Sequence, residues 1–123
     1  MARKKLDWED VRRIGLAMPG VDESTAYGSP ALKIRGKLMT CLPTHKSAEP
    51  GSLAVSLSFE QRDGLLAEAP DTYYVKEHYL NYPIVLVRLA RISQDVLADL
   101  LGMAWRFASD RRPSAKRKAP PSG

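Results

Sequence analysis

One cysteine, two histidines and a Gly-Lys pair are the residues of this chain whose types most readily do chemistry. A thiol beside an imidazole makes a nucleophile, and three such side chains together hold zinc. Gly-Lys is the end of the loop that cradles nucleotide phosphates. Spacing tests each idea. The phosphate loop needs two glycines five apart, a Ser or Thr after the lysine, and a helix. Here Leu38 follows Gly36-Lys37 and the pattern beyond is strand-like, so a hairpin turn explains the pair. His45 lies four residues past Cys41, beyond Pro43, and His78 is remote, so no recognised zinc spacing exists. A buried structural thiol accounts for Cys41.

Three further groups invite a functional reading. Glu23, after "PGVD", is either a site acid or a loop carboxylate that accepts from backbone N–H groups near Tyr27; Asp22 reads as solvated. Tyr73, Tyr74, Tyr79 and Tyr82, with His78, either stack on bases or serve as strand formers. Lys33, Arg35 and Thr40, with Ser56 and Ser58, fall on one expected sheet face. Cations with small hydroxyls suit a phosphate backbone. Leu38 and Leu42 share that face, so it equally suits a protein partner, a second subunit or plain solvent.

Charge is distributed unevenly. The net +5 comes wholly from the ends: residues 6–110 carry 11 basic against 14 acidic side chains, or −3. Arg3, Lys4 and Lys5 form a basic arm (1–5). Arg111, Arg112, Lys116, Arg117 and Lys118 fall in a tail (111–123) with no large apolar residue, which is expected to be disordered. The candidate nucleic-acid contacts are therefore Lys33, Arg35, Arg111, Arg112, Lys116, Arg117 and Lys118.

The elements that must position these residues come from the remaining pattern. At 123 residues the chain is one domain's worth, without a run long and apolar enough to span a membrane and without a secretory signal pattern. One cysteine suits a reducing cytoplasm. Asp7, with Asp10 three positions on, caps a helix from Trp8 to about Met18, and "MPG" ends it. Leu32 and Ile34 alternate with Lys33 and Arg35. A loop at Gly36-Lys37 sets Ile34 against Met39 and Leu32 against Cys41, whereas a loop at Arg35-Gly36 sets Ile34 against Lys37. The first keeps the apolar face intact and is preferred. "LAVSLSF" (53–59) alternates as a half-exposed strand. Ser58 and Gln61 cap a short helix to Ala69, "TYYVKEHY" (72–79) is β-prone, and "IVLVRL" (84–89) reads as a central strand. Ser93 caps the last helix, with Leu97, Leu100, Leu101, Ala104 and Ala108 on its apolar face. The result is an α+β, two-layer sandwich with an antiparallel sheet, in the order α-β(3)-α-β(2)-α.

Three segments together, "LAMPGVDESTAYGSPALKIRGKLMTCL", "RDGLLAEAPDTYYVKEHYLNYPIVLVRLA" and "LADLLGMAWRFASD", resemble the MmcQ/YjbR family of small bacterial proteins. The matching details are Pro19, Gly20 and Glu23, then Tyr27, Gly28 and Pro30, the Gly36-Lys37 turn, and Ala104-Trp105-Arg106. The resemblance implies the same α-β(3)-α-β(2)-α order, similar to CyaY-like and secretion-chaperone-like sandwiches. It also implies the family's DNA-binding label, but no catalytic residue. The resulting expectation is a non-catalytic, cytoplasmic, weakly DNA-binding domain over residues 6–110 with basic terminal arms, without cofactor or metal, monomeric or weakly dimeric. A protein-interaction or chaperone-like adaptor module is the alternative. An enzyme or small-ligand binder around Glu23, Tyr27 and His78 would require a pocket there.

Overall fold

Reciprocal capping bonds start two of the three helices. Asp10 N–H donates to Asp7 Oδ1 at 3.3 Å and Asp7 N–H to Asp10 Oδ2 at 3.0 Å, opening α1 (Trp8–Leu16). Ser58 and Gln61 do the same at 3.1 and 3.3 Å for α2 (Phe59–Glu68). Ser93 Oγ accepts from Val96 N–H at 3.2 Å at the start of α3 (Gln94–Asp110). Each cap satisfies donors that the first turn leaves without a partner. The structure, a computed structural model, describes residues 6–44 and 46–110. The basic arm, the tail and His45 lie outside them.

Six strands form one antiparallel sheet: β1 (Val21–Ala26), β2 (Ser29–Ile34), β3 (Lys37–Cys41), β4 (Ser52–Ser56), β5 (Tyr73–Tyr74) and β6 (Ile84–Arg88), in the order β1-β2-β3-β4-β6-β5. The α+β class stands, with one strand more than the expected order. β1 carries "VDESTA", which has little apolar content, and it is exposed along most of its length. Two features hold it at the edge. Tyr27-Gly28, at φ 54° and 79°, makes the both-positive turn that matches strand twist. Glu23, from the strand's helix side, pairs with Arg12 of α1. Glu23 is therefore an inter-element tie rather than a loop carboxylate.

The β2–β3 register differs from the preferred one. The loop is Arg35-Gly36, again with both φ positive (51° and 81°), and Ile34 pairs with Lys37. A bulge then intervenes: Lys33 pairs with Leu38, but Leu32 pairs with Thr40 and Ala31 with Cys41. The extra residue is Met39. It restores Leu32 and Met39 to one core cluster despite the shifted loop, and it turns Cys41 to the opposite face. A parity argument assumes uninterrupted pairing, which is why it selected the wrong loop.

The main core lies between the sheet and the helices, around Val11, Leu32, Met39, Val55, Val87, Leu97 and Leu101, all fully buried. Close approach of α1 requires Gly15: a Cβ there would stand 2.3 Å from Leu32 Cδ1. A smaller cluster occupies the other face, from Ala31, Cys41, Ala54, Tyr74, Tyr79 and Leu86. Because of it β4 is buried on both faces, Ser52 and Ser56 included, and is not the half-exposed strand its alternation suggested. β6 is central, as expected. Of "TYYVKEHY", only Tyr73–Tyr74 is strand; Glu77–Tyr79 is a 3-10 turn.

Candidate functional site

The second cluster does not fill its face of the sheet. Beside it lies a groove of about 610 Å³. Leu38 and Cys41 of β3, Ala54 of β4 and Ile84 of β6 line it. The Leu42–Thr44 segment and Lys46 border one side; His78, Tyr79 and Tyr82 border another. Tyr27 reaches it from the β1–β2 turn. The volume falls within the range of small-molecule sites, roughly 300–1,000 Å³. Tyr27 is 88% exposed and Tyr82 54%, so the groove has aromatic lips facing water over an apolar floor.

Two arginines hold the walls. Arg88 binds Glu49 through paired bonds, Nε–Oε1 at 2.9 Å and NH2–Oε2 at 2.8 Å, and lies 4.4 Å from the centre of the Tyr74 ring. The Tyr74 hydroxyl accepts from Glu49 N–H at 2.8 Å and shares a 2.5 Å bond with Ser52 Oγ. This network fixes the chain just after Lys46 to the sheet. The Arg88 bonds also hold the Glu49 carboxyl below its ordinary pKa. On the other side Arg62, 6% exposed, donates from NH1 to the carbonyls of Leu80 and Tyr82, both at 3.0 Å. Its guanidinium also lies 4.8 Å from the centre of the Phe59 ring. Arg62 thereby holds the backbone that presents Tyr82.

Cys41 lines the groove but is only 5% exposed. Burial pushes its thiol up to about 11, with the charge of Lys33 opposing part of the rise. A neutral thiol at physiological pH is a poor nucleophile. Among the described residues, Lys46 is the one Lys or Arg lining the groove, and no Asp or Glu lines it. No group of three or more His, Cys, Asp or Glu side chains among the described residues could hold a metal.

The sites expected from sequence are only partly brought together. Lys33 lies on the groove face of β2, half-buried and opposite Asp22 across the strands. Arg35 is not beside it on a strand; it is exposed within the β2–β3 turn. Thr40 is fully buried and donates to the Ala54 carbonyl at 2.6 Å, Ser56 is buried, and Ser58 caps α2, so the imagined polar face does not assemble. Of the tyrosines considered for stacking, Tyr73, Tyr74 and Tyr79 are buried; Tyr82 is available. Tyr27 and His78 do share the groove, without Glu23. Arg111, Arg112, Lys116, Arg117 and Lys118 lie outside the described residues.

Sequence reasoning missed Lys46 on the lining and Arg62 as a wall. The second left a signal. Arg62, Leu65, Leu66 and Ala69 recur at helical spacing, so a cation occupies an otherwise apolar stripe.

Comparison with known proteins places this architecture. The YjbR family model matches residues 16–107. The chain belongs to the YjbR family. Uncharacterized proteins of Mycobacterium tuberculosis and Mycobacterium bovis are each 32% identical to it over 119 residues, covering 85% of this chain and 90% of theirs. The crystal structure of a Deinococcus radiodurans protein with a DUF419 domain shares the fold, with a TM-score of 0.71 at 15% identity over 90% of this chain and 84% of that one. Every residue of the groove falls inside the segment matched to the YjbR family, whereas both basic ends fall outside it.

Proposed function

We propose that this YjbR protein is a non-catalytic binding domain that receives an apolar, ring-bearing group in the groove between Tyr27 and Tyr82. One observation carries the reading: aromatic lips stand exposed over an apolar floor whose walls are pinned by Arg62 and Arg88. A held-open apolar recess with few polar groups is the usual form of a ligand site. The neutral Cys41 thiol supports the non-catalytic part. The test is a titration of the isotope-labelled protein with neutral 2-naphthalenemethanol, followed by amide shifts. Shifts should concentrate in residues 38–46, 54 and 78–84. Shifts confined to the helix side of the sheet, or none at millimolar probe, would remove the groove from consideration.

Weak DNA binding is a second reading, and the charge partition favours it. Eight cations in residues 1–5 and 111–118 flank a body of net −3. Arms of this kind add phosphate affinity that falls steeply with salt. Labelled duplex DNA titrated at two salt concentrations should bind the full chain more tightly than residues 6–110, with a steeper salt slope. Equal affinity and slope for the two would refute the arm model.

A further inference from the structure

We infer that the groove selects planar aromatic anions, small aromatic carboxylates being the simplest class. The inference rests on the proposed groove and adds the sign of the ligand's charge. Three observations support it. Among the described residues, Lys46 is the one Lys or Arg on the lining, no Asp or Glu shares it, and no carboxylate lies within ion-pair distance of Lys46. Lys33 adds a second positive charge from the same face, near enough to act on the Cys41 thiol. Lys33, like its partner Asp22 opposite it on the same face of β1–β2, is off the lining, so Lys33 contributes less than Lys46. Two nearby acids are held elsewhere, Glu49 by Arg88 and Glu23 by Arg12 on the helix side, and Glu77, beside His78, is exposed and off the lining.

The shape supplies the second requirement. Leu38, Ala54 and Ile84 give a floor that accepts a flat apolar body but offers few hydrogen bonds to a polar one. Tyr27 and Tyr82, both exposed, place aromatic rings at the lip. A flat ring system therefore gains area on the floor and at the aromatic lips, while a carboxylate at its edge reaches water and Lys46 together. Because Lys46 is exposed, its pairing is partly screened, and the selectivity it confers is modest.

Three probes of one shape separate the possibilities on the full chain: 2-naphthoate, 2-naphthalenemethanol and 2-naphthylmethylammonium, titrated by amide shifts at about 0.15 M salt. Naphthoate should bind about threefold to fivefold tighter than the alcohol, and the ammonium weaker than both. Lys46→Glu should invert the order of the two ions, with the alcohol changing least of the three. If all three bind the groove equally, the anion inference fails and the groove proposal stands. If naphthoate shifts only the basic ends, the inference fails, because net charge rather than the groove attracts it. If no probe binds, both fail. Retained spectral dispersion shows that Lys46→Glu is folded, as its exposed position leads one to expect.

Discussion

Tyr27→Asn should make the protein more stable and less able to bind. Tyr27 holds φ at 54°, where an L-residue with a bulky side chain pays roughly 1–2 kcal/mol relative to its ordinary backbone regions. Asn tolerates that region, and Asn-Gly is the favoured pair for a two-residue hairpin loop with both φ positive. The ring offers little in return: at 88% exposure it contributes almost no buried area to the fold. Removing it therefore loses a few tenths of a kcal/mol of contact at most and relieves part of the strain. We expect a net gain of about 0.5–1 kcal/mol, or a few degrees in Tm for a domain of this size. Urea unfolding gives the measure, as a higher midpoint with unchanged slope. The same variant should weaken naphthoate binding about fivefold, since one of two aromatic lips is gone. A lower midpoint would refute the reasoning, because it would mean that the fold itself needs the tyrosine. A higher midpoint with unaltered binding would leave the strain account intact and remove Tyr27 from the site.

The remaining predictions concern the frame around the groove. Gly15→Ala gains about 1 kcal/mol of helix propensity but drives a Cβ to 2.3 Å from Leu32 Cδ1 in a filled core, at a cost of roughly 1–3 kcal/mol; urea unfolding should show net destabilisation, reversed in a Leu32→Ala background. Alkylation of Cys41 should accelerate up to about pH 11. At pH 7.5 the raised pKa lowers its thiolate fraction about a hundredfold, and greater intrinsic nucleophilicity returns about tenfold, leaving it about tenfold slower than an exposed thiol before steric shielding; a rate that levels off by pH 9 would contradict its burial. Glu49 has its folded pKa lowered by Arg88, so its contribution is present above the unfolded value of 4.5 and is lost as pH falls through the lower folded value. Unfolding of the wild type should thus lose more stability over that acid window than Glu49→Gln does, and equal losses would dismiss the pair as a stabiliser.

How much of this was legible in the sequence depends on how local each signal is. The three helices start where the caps place them, because Asp7–Asp10, Ser58–Gln61 and Ser93 act within one turn. β6 is central because its apolar residues fall on both faces. The hairpin register was not legible, since the Met39 bulge reverses parity without altering composition. β1 was missed because an exposed edge strand shows no core pattern; its turn and the Arg12–Glu23 pair hold it, and both depend on tertiary placement. The groove was the hardest to see. Its walls come from residues 42–44, Lys46 and the 78–82 segment, whose sequence has neither helix nor strand periodicity. The pair Tyr27 and His78 was suspected, but the acid grouped with them, Glu23, belongs to the helix side.

The cations of the folded body show why its net charge misleads about partners. Arg12 and Arg13 pair with acids around α1, while Arg62 and Arg88 brace the two walls through carbonyls and Glu49. Arg12, Arg62 and Arg88 hold elements together and Arg13 pairs within α1, so these four present little charge to a ligand. A body of net −3 nevertheless has a groove lined, among the described residues, by one Lys and no Asp or Glu. Under the proposed function, the field that a bound group meets is set chiefly by Lys46, with Lys33 offset by Asp22 opposite it, and charges beyond a Debye length of about 8 Å are largely screened at physiological salt. Under that proposal, binding in the groove is local and shape-led, whereas long-range attraction to polyanions rests on the basic ends. The two modes separate by salt: groove binding should change little across a range that weakens an arm-driven contact by orders of magnitude.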